Sequence, residues 1–220
     1  MCSLLPIGKP LLCYVTDRRG FGDAAEAREK LLLAKIERAA KAGVDWIQIR
    51  EKDLSGKQLA ELAAGAVRSA AGASAILVND RMDVACVVKA SGVHLGERGL
   101  PVSEASRFVH ERLAGKDFLV GASVHSLEGA QKAEQDGANY VIFGPVYETP
   151  SKAGLGAPQG RESLRQVCAG LKIPVLAIGG ITLENARDCM EAGASGIAAI
   201  RLFQKANDLP AVVKRLRSGL

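Results

Sequence analysis

Eight short apolar runs recur along this chain, and each is followed by a segment of helical periodicity or a polar, glycine-bearing exit. The runs fall at 11–16, 44–49, 75–78, 92–95, 118–122, 140–143, 175–178 and 196–200. Helical spacing of apolar residues covers 24–42, 56–71, 102–113, 127–137, 162–169, 183–192 and 206–216. A strand covered on one face alternates apolar with polar residues, whereas a strand buried on both faces is apolar throughout. Nearly all of these runs are continuous, so both faces of the sheet are covered. The phrases AGVDWI, DGANYV and AGASGI repeat one unit: a helix end, a glycine turn and a new strand. Ser103, Ser126 and Thr182 stand where N-caps are wanted, and Gly43, Gly137 and Gly193 where a left-handed residue closes a helix. Eight such units without a linker predict a single α/β domain over 1–220, a closed (β/α)8 TIM barrel, with an open doubly wound sheet as the alternative.

Composition narrows the partners. With 29 basic and 24 acidic residues the net charge is +5, and aromatics make up 4% of the chain. Nucleic-acid binding calls for a basic stripe with aromatic platforms, but the Lys and Arg are dispersed along the helical segments. An anionic small molecule is the better match. No apolar stretch reaches the roughly 18 residues that span a bilayer, so a membrane partner is not expected. Nothing near the N-terminus resembles an export signal, which predicts a cytoplasmic protein. The five cysteines are scattered and form no C-x-x-C pair, so neither a disulfide frame nor a zinc site is expected.

In a barrel of this kind the C-terminal ends of the strands converge on one mouth. The residues leaving the runs are Thr16 and Asp17; Gln48, Arg50 and Lys52; Asn79 and Asp80; His94; Ser123 and His125; Thr149, Ser151 and Lys152; Gly179 and Gly180; and Arg201. Gln48, Arg50 and Lys52 alternate, so a period of two turns them to one side. Two cations there call for an anion, unless only Gln48 points inward and the others are solvated at the rim. The exit FGPVYETPSKAGLGAPQG carries hydroxyls, a cation and four glycines, and LAIGGIT ends in paired glycines. Glycines let backbone N–H groups approach a phosphate. Asp80 offers a hard oxygen ligand suited to magnesium, or else caps a helix starting near Arg81. His94 and His125 are positioned for proton transfer or for structural hydrogen bonding, and Trp46 for packing.

Taken in order, VTDRR, QIREK, VNDRMD, GVHLGE, GASVHS, FGPVYETPSK and IGGIT closely resemble the thiamine phosphate synthase and thiazole tautomerase family, over essentially the whole chain. The resemblance implies a TIM barrel binding phosphorylated thiazole and pyrimidine substrates. In the synthase, hydroxymethylpyrimidine diphosphate loses pyrophosphate with magnesium assistance, and the thiazole nitrogen captures the pyrimidine cation. Carried over by position, Gln48, Arg50, Lys52, Asn79, Ser123 and Lys152 match the pyrimidine diphosphate site and Asp80 a Mg2+ ligand. Thr149, Pro150, Ser151, Gly180, Ile200 and Arg201 match the thiazole phosphate site, the last two chiefly through backbone amides.

Two positions depart from that pattern. Gly99 stands where the synthases carry a second metal-binding Asp, with Glu97 or Asp83 as candidate substitutes, and Arg201 replaces a small hydroxyl residue. The missing carboxylate favours a tautomerase, needing no metal and using His125 as proton shuttle. The five matches from Gln48 to Asp80 favour the synthase, which is the main expectation. A non-catalytic thiazole or thiamine phosphate sensor is a third reading, and the oligomeric state, homo-oligomer included, is left open.

Overall fold

The computed structural model describes residues 9–22, 25–113, 117–149 and 157–219. Eight parallel strands close into a barrel in sequence order: β1 Leu11–Val15, β2 Trp46–Ile49, β3 Ala75–Asn79, β4 Gly92–Leu95, β5 Leu119–Val124, β6 Tyr140–Phe143, β7 Val175–Ile178 and β8 Gly196–Ala199. The seam is a parallel pairing of β1 with β8, from Leu11 opposite Gly196 to Tyr14 opposite Ala199. That closure rules out the open sheet. Outside lie α1 Ala25–Lys41, α2 Gly56–Ala70, α3 Met82–Val87, α4 Val102–Arg112, α5 Leu127–Gln135, α6 Gly160–Gly170, α7 Ala186–Glu191, α8 Arg201–Gln204 and α9 Leu209–Gly219. Among the described residues no helix is long and apolar enough to cross a membrane.

The apolar strands are explained by two separate cores. Leu12, Tyr14, Ile47, Ile76 and Val93 pack outward among the helices. Leu11, Cys13, Val15, Trp46, Leu77, Leu119, Tyr140 and Leu176 fill the barrel interior. Trp46 of β2 and Tyr140 of β6 meet across the interior at 4.6 Å between ring centroids, as the packing reading of Trp46 expects. Gly121 on β5 makes room for this, because a Cβ there would overlap the Tyr140 ring. These rings fill the barrel interior at the strand starts, on the side away from the C-terminal ends.

Local chemistry sets the helix limits. Ser126 caps α5 by accepting from the Gly129 amide at 3.0 Å. Ser103 does not cap α4; Pro101 holds that position and Ser103 lies inside the first turn. Thr182 also sits upstream of its helix, because α7 begins only at Ala186. Its hydroxyl accepts from the Glu184 and Asn185 amides, while Asn185 Nδ2 donates to the Gly180 carbonyl at 2.9 Å. The three predicted helix-closing glycines, Gly43, Gly137 and Gly193, all have positive φ, between 90° and 98°.

Candidate active site

A cavity of about 630 Å³ opens at the C-terminal mouth, and all eight strands or their exits contribute to it. This volume suits small-molecule ligands. It gathers Gln48, Arg50, Lys52, Asn79, Asp80, Glu97, Ser123, His125, Thr149, Gly180, Ile200 and Arg201, which the sequence separates by up to most of its length. Pro150, Ser151 and Lys152 lie outside the described residues. Asp83 is not among the lining residues: Arg81 holds it at the surface through two hydrogen bonds of 2.8 and 2.6 Å. Arg98, which strand-exit reasoning passes over, lines the cavity from the β4 exit.

The exit of β2 turns Arg50 and Lys52 inward by using the residue between them as a brace. Glu51, only 4% exposed, accepts the Thr16 hydroxyl at 2.6 Å and the Arg18 amide at 3.0 and 3.1 Å. Thr16 Oγ1 in turn accepts from the Arg50 backbone N–H at 3.0 Å. Burial raises the Glu51 pKa, and the bonds from Thr16 and Arg18 oppose that rise. Among the described residues, no carboxylate lies within salt-bridge distance of Arg50, Lys52, Arg98 or Arg201. Four cations thus face a cavity whose lining carries two carboxylates, Asp80 and Glu97.

Asp80 is not a helix cap. It sits in the left-handed region with φ 58°, and the cap position of α3 belongs to Arg81. Its Oδ1 accepts from the Gly96 amide and its Oδ2 from Asn79 Nδ2, each at 2.7 Å. Asn79 Oδ1 accepts from Gln48 Nε2 at 2.9 Å. Because a carboxylate only accepts, this chain has one polarity and ends at Gln48 Oε1, a buried acceptor with no partner among the described residues. A Cβ at Gly99 would lie 2.9 Å from Asp80 Oδ1, so position 99 abuts the carboxylate but brings no ligand to it. Glu97 lies 4.0 Å from His125 Nε2 and is largely exposed. Among the described residues no three His, Cys, Asp or Glu side chains cluster as a metal site. Asp80 alone fits magnesium at the lower limit, where one carboxylate suffices if substrate phosphate and water fill the other positions.

Two histidines sit beside this arc in different surroundings. His94 is buried between Tyr140 Oη, 3.1 Å from its Nδ1, and Ser123 Oγ, 2.9 Å from its Nε2. Burial lowers its pKa to about 4, so it is neutral at physiological pH. His125 is half-buried, and its Nδ1 donates to the Gly144 carbonyl.

Across the barrel, β6 and β7 exits are held together by backbone. Val146 N donates to Ile178 O at 2.8 Å and Tyr147 N to Gly179 O at 3.0 Å. Gly180 has φ 65°, and a Cβ there would fall 2.5 Å from the Glu148 carbonyl oxygen and 2.7 Å from Tyr147 Cβ. Among the described residues, nothing accepts from the Gly180 N–H. Arg201, exposed at the start of α8, adds a cation to the lining.

Comparison with known proteins agrees with this geometry. Residues 12–203 match the family described as thiamine monophosphate synthase. A thiamine-phosphate synthase of Chlorobium luteolum is 38% identical over 218 residues, covering 96% of each chain. One from Chloroflexus aurantiacus is 39% identical over 198 residues, 89% of this chain and 88% of its own. Among solved structures, a thiamine phosphate pyrophosphorylase from Pyrococcus furiosus superposes with a TM-score of 0.80 at 32% identity, over 95% of this chain and 94% of that one. Similarity kept from end to end of the barrel, across every strand that lines this cavity, makes the chain a member of the thiamine monophosphate synthase family.

Proposed function

We propose that this chain is a transferase that joins hydroxymethylpyrimidine diphosphate to thiazole phosphate, giving thiamine phosphate and pyrophosphate. The observation that carries the reading is the charge imbalance of one cavity. Four cations, none within salt-bridge distance of a carboxylate among the described residues, face two carboxylates, beside a backbone cradle around Gly180. Arg50 is half-buried and Lys52, Arg98 and Arg201 are exposed, so the excess of positive charge at one mouth attracts anions, and the cavity offers places for two of them.

In this reading Arg50, Lys52 and Arg98 receive the diphosphate. As the carbon–oxygen bond to the leaving group lengthens, negative charge accumulates on the diphosphate, and these fixed cations stabilise it as it forms. Asp80 would hold magnesium, which when bound supplies further charge neutralisation at the leaving group. Gln48, Asn79 and Ser123 hold the pyrimidine. Thr149, the Gly180 and Ile200 backbone and Arg201 hold the thiazole phosphate, so the ring nitrogen lies against the carbon that loses its leaving group. That nitrogen already has a lone pair, so no general base is required. Proximity and exclusion of water supply the rest. Pro150, Ser151 and Lys152 are assigned to the same ligands by resemblance. Activity in the cytoplasm belongs to this reading as well.

The test uses two reactions: both synthase substrates with magnesium, and carboxythiazole phosphate alone. Thiamine phosphate with equimolar pyrophosphate in the first upholds the proposal. Isomerised carboxythiazole in the second, with nothing in the first, replaces it with the tautomerase; binding without turnover replaces it with the sensor.

A further inference from the structure

Tyr140 reads as an ordinary core aromatic, but its phenol has one hydrogen to place. Among the described residues its sole hydrogen-bond partner is His94 Nδ1, at 3.1 Å, in an interior where both side chains are buried. Were Nδ1 protonated, the phenol oxygen would accept from it, and the phenol hydrogen would be left without an acceptor among the described residues in a buried site. The phenol hydrogen therefore has Nδ1 as its acceptor, and the pair has one satisfied arrangement. Tyr140 O–H donates to Nδ1, and the ring proton sits on Nε2. Nε2–H then donates to Ser123 Oγ at 2.9 Å, and the Ser123 hydroxyl proton turns to the cavity that Ser123 lines.

We propose that Tyr140 and His94 are positioning residues that fix the polarity of Ser123, making it a hydrogen-bond donor to a ring nitrogen of the substrate. The Asp80–Asn79–Gln48 chain makes the complementary choice, since it ends in an acceptor. One donor and one acceptor suit the edge of an aminopyrimidine, whose ring nitrogen accepts and whose amino group donates. The identity of that ligand rests on the function proposed above; the tautomer does not.

The first experiment reads the tautomer directly. The chain has three histidines, so 15N-histidine-labelled protein gives three ring patterns, assigned with His110→Gln and His125→Gln variants. At pH 7, His94 is expected with bare Nδ1 and protonated Nε2. Tyr140→Phe, with its fold checked by circular dichroism, is expected to shift that pattern toward protonated Nδ1 or a mixture. Protonated Nδ1 in the unmodified protein overturns the proposal. The second experiment compares binding of the aminopyrimidine diphosphate with that of its carbocyclic analogue, in which ring nitrogens are replaced by C–H. A preference of about five- to tenfold for the pyrimidine is expected for one hydrogen bond, falling to about twofold or less in Tyr140→Phe and Ser123→Ala. A preference that survives Tyr140→Phe unchanged also overturns it. If neither compound binds, the functional reading falls, and the ring-nitrogen pattern still decides the tautomer.

Discussion

The two sides of the mouth are built by different means. Strands four apart in an eight-stranded ring face each other, so the β2 and β3 exits lie across from those of β6 and β7. On the first side, side chains do the work: Arg50 and Lys52 bring full charges, and Asp80 is held by the Gly96 amide and Asn79. On the second, the main chain does it, and Gly180 is so closely overlaid by Glu148 and Tyr147 that a methyl group does not fit. Charge that appears during reaction is best met by preorganised cations, whereas a phosphate unchanged from start to finish needs only a shaped cradle. Under the proposed function, the leaving group belongs with Arg50 and Lys52 and the spectator phosphate with the glycines.

That contrast breaks most easily on the charged side. Arg50→Ala and Lys52→Ala are each expected to lower kcat by about 10²–10³-fold, or roughly 3–4 kcal/mol, the cost of removing a donor aimed at developing charge. Thiazole phosphate affinity, measured by calorimetry, should stay nearly constant in both. A loss of affinity with unchanged kcat would put the cations on the spectator phosphate instead.

Beneath the charged arc the floor is neutral, and pH tests this. His94 has its folded pKa lowered from 6.5 to about 4 by burial. Between those values the unfolded chain binds the proton and the folded one does not, so this stabilisation is present above pH 6.5 and is lost as pH falls toward 4. The loss amounts to about 3 kcal/mol, read from urea unfolding at stepped pH. His94→Asn should flatten that part of the profile. An equally steep profile in the variant would assign the acid sensitivity elsewhere.

The glycine side responds less in energy but more selectively. Gly180→Ala puts a side chain at φ 65° and against the Glu148 carbonyl, for a stability cost of about 1–3 kcal/mol. Its KM for thiazole phosphate should rise while pyrophosphate inhibition is preserved. Equal effects on both ligands would erase the distinction between the two sides.

Much of this arrangement is legible in the sequence because a barrel turns order along the chain into order around a mouth. Once 140–143 and 175–178 are recognised as strands buried on both faces, their exits must converge, whatever the intervening residues are. The alternation Gln48, Arg50, Lys52 shows which residues face inward, and all three do so. What the pattern hides is the use made of the residues between. Glu51 looks like a solvated charge and is a buried brace, because its partners Thr16 and Arg18 come from another strand exit. Asp80 looks like a helix cap for the same reason: its main partner, the Gly96 amide, is contributed by the β4 exit. Asp83 lies one helical turn from Asp80 in sequence, but Arg81 intercepts it locally. Tyr140 and His94 lie on different strands, and nothing in either segment announces that they share a proton.

The most direct measurement is a crystal structure of the protein with thiamine phosphate and pyrophosphate bound together. Pyrophosphate is expected against Arg50 and Lys52 beside Asp80, and the thiamine phosphate group against the Gly180 backbone and Arg201, on the far side of the same cavity. Both anions on one side, or the pyrophosphate outside the mouth, would contradict it.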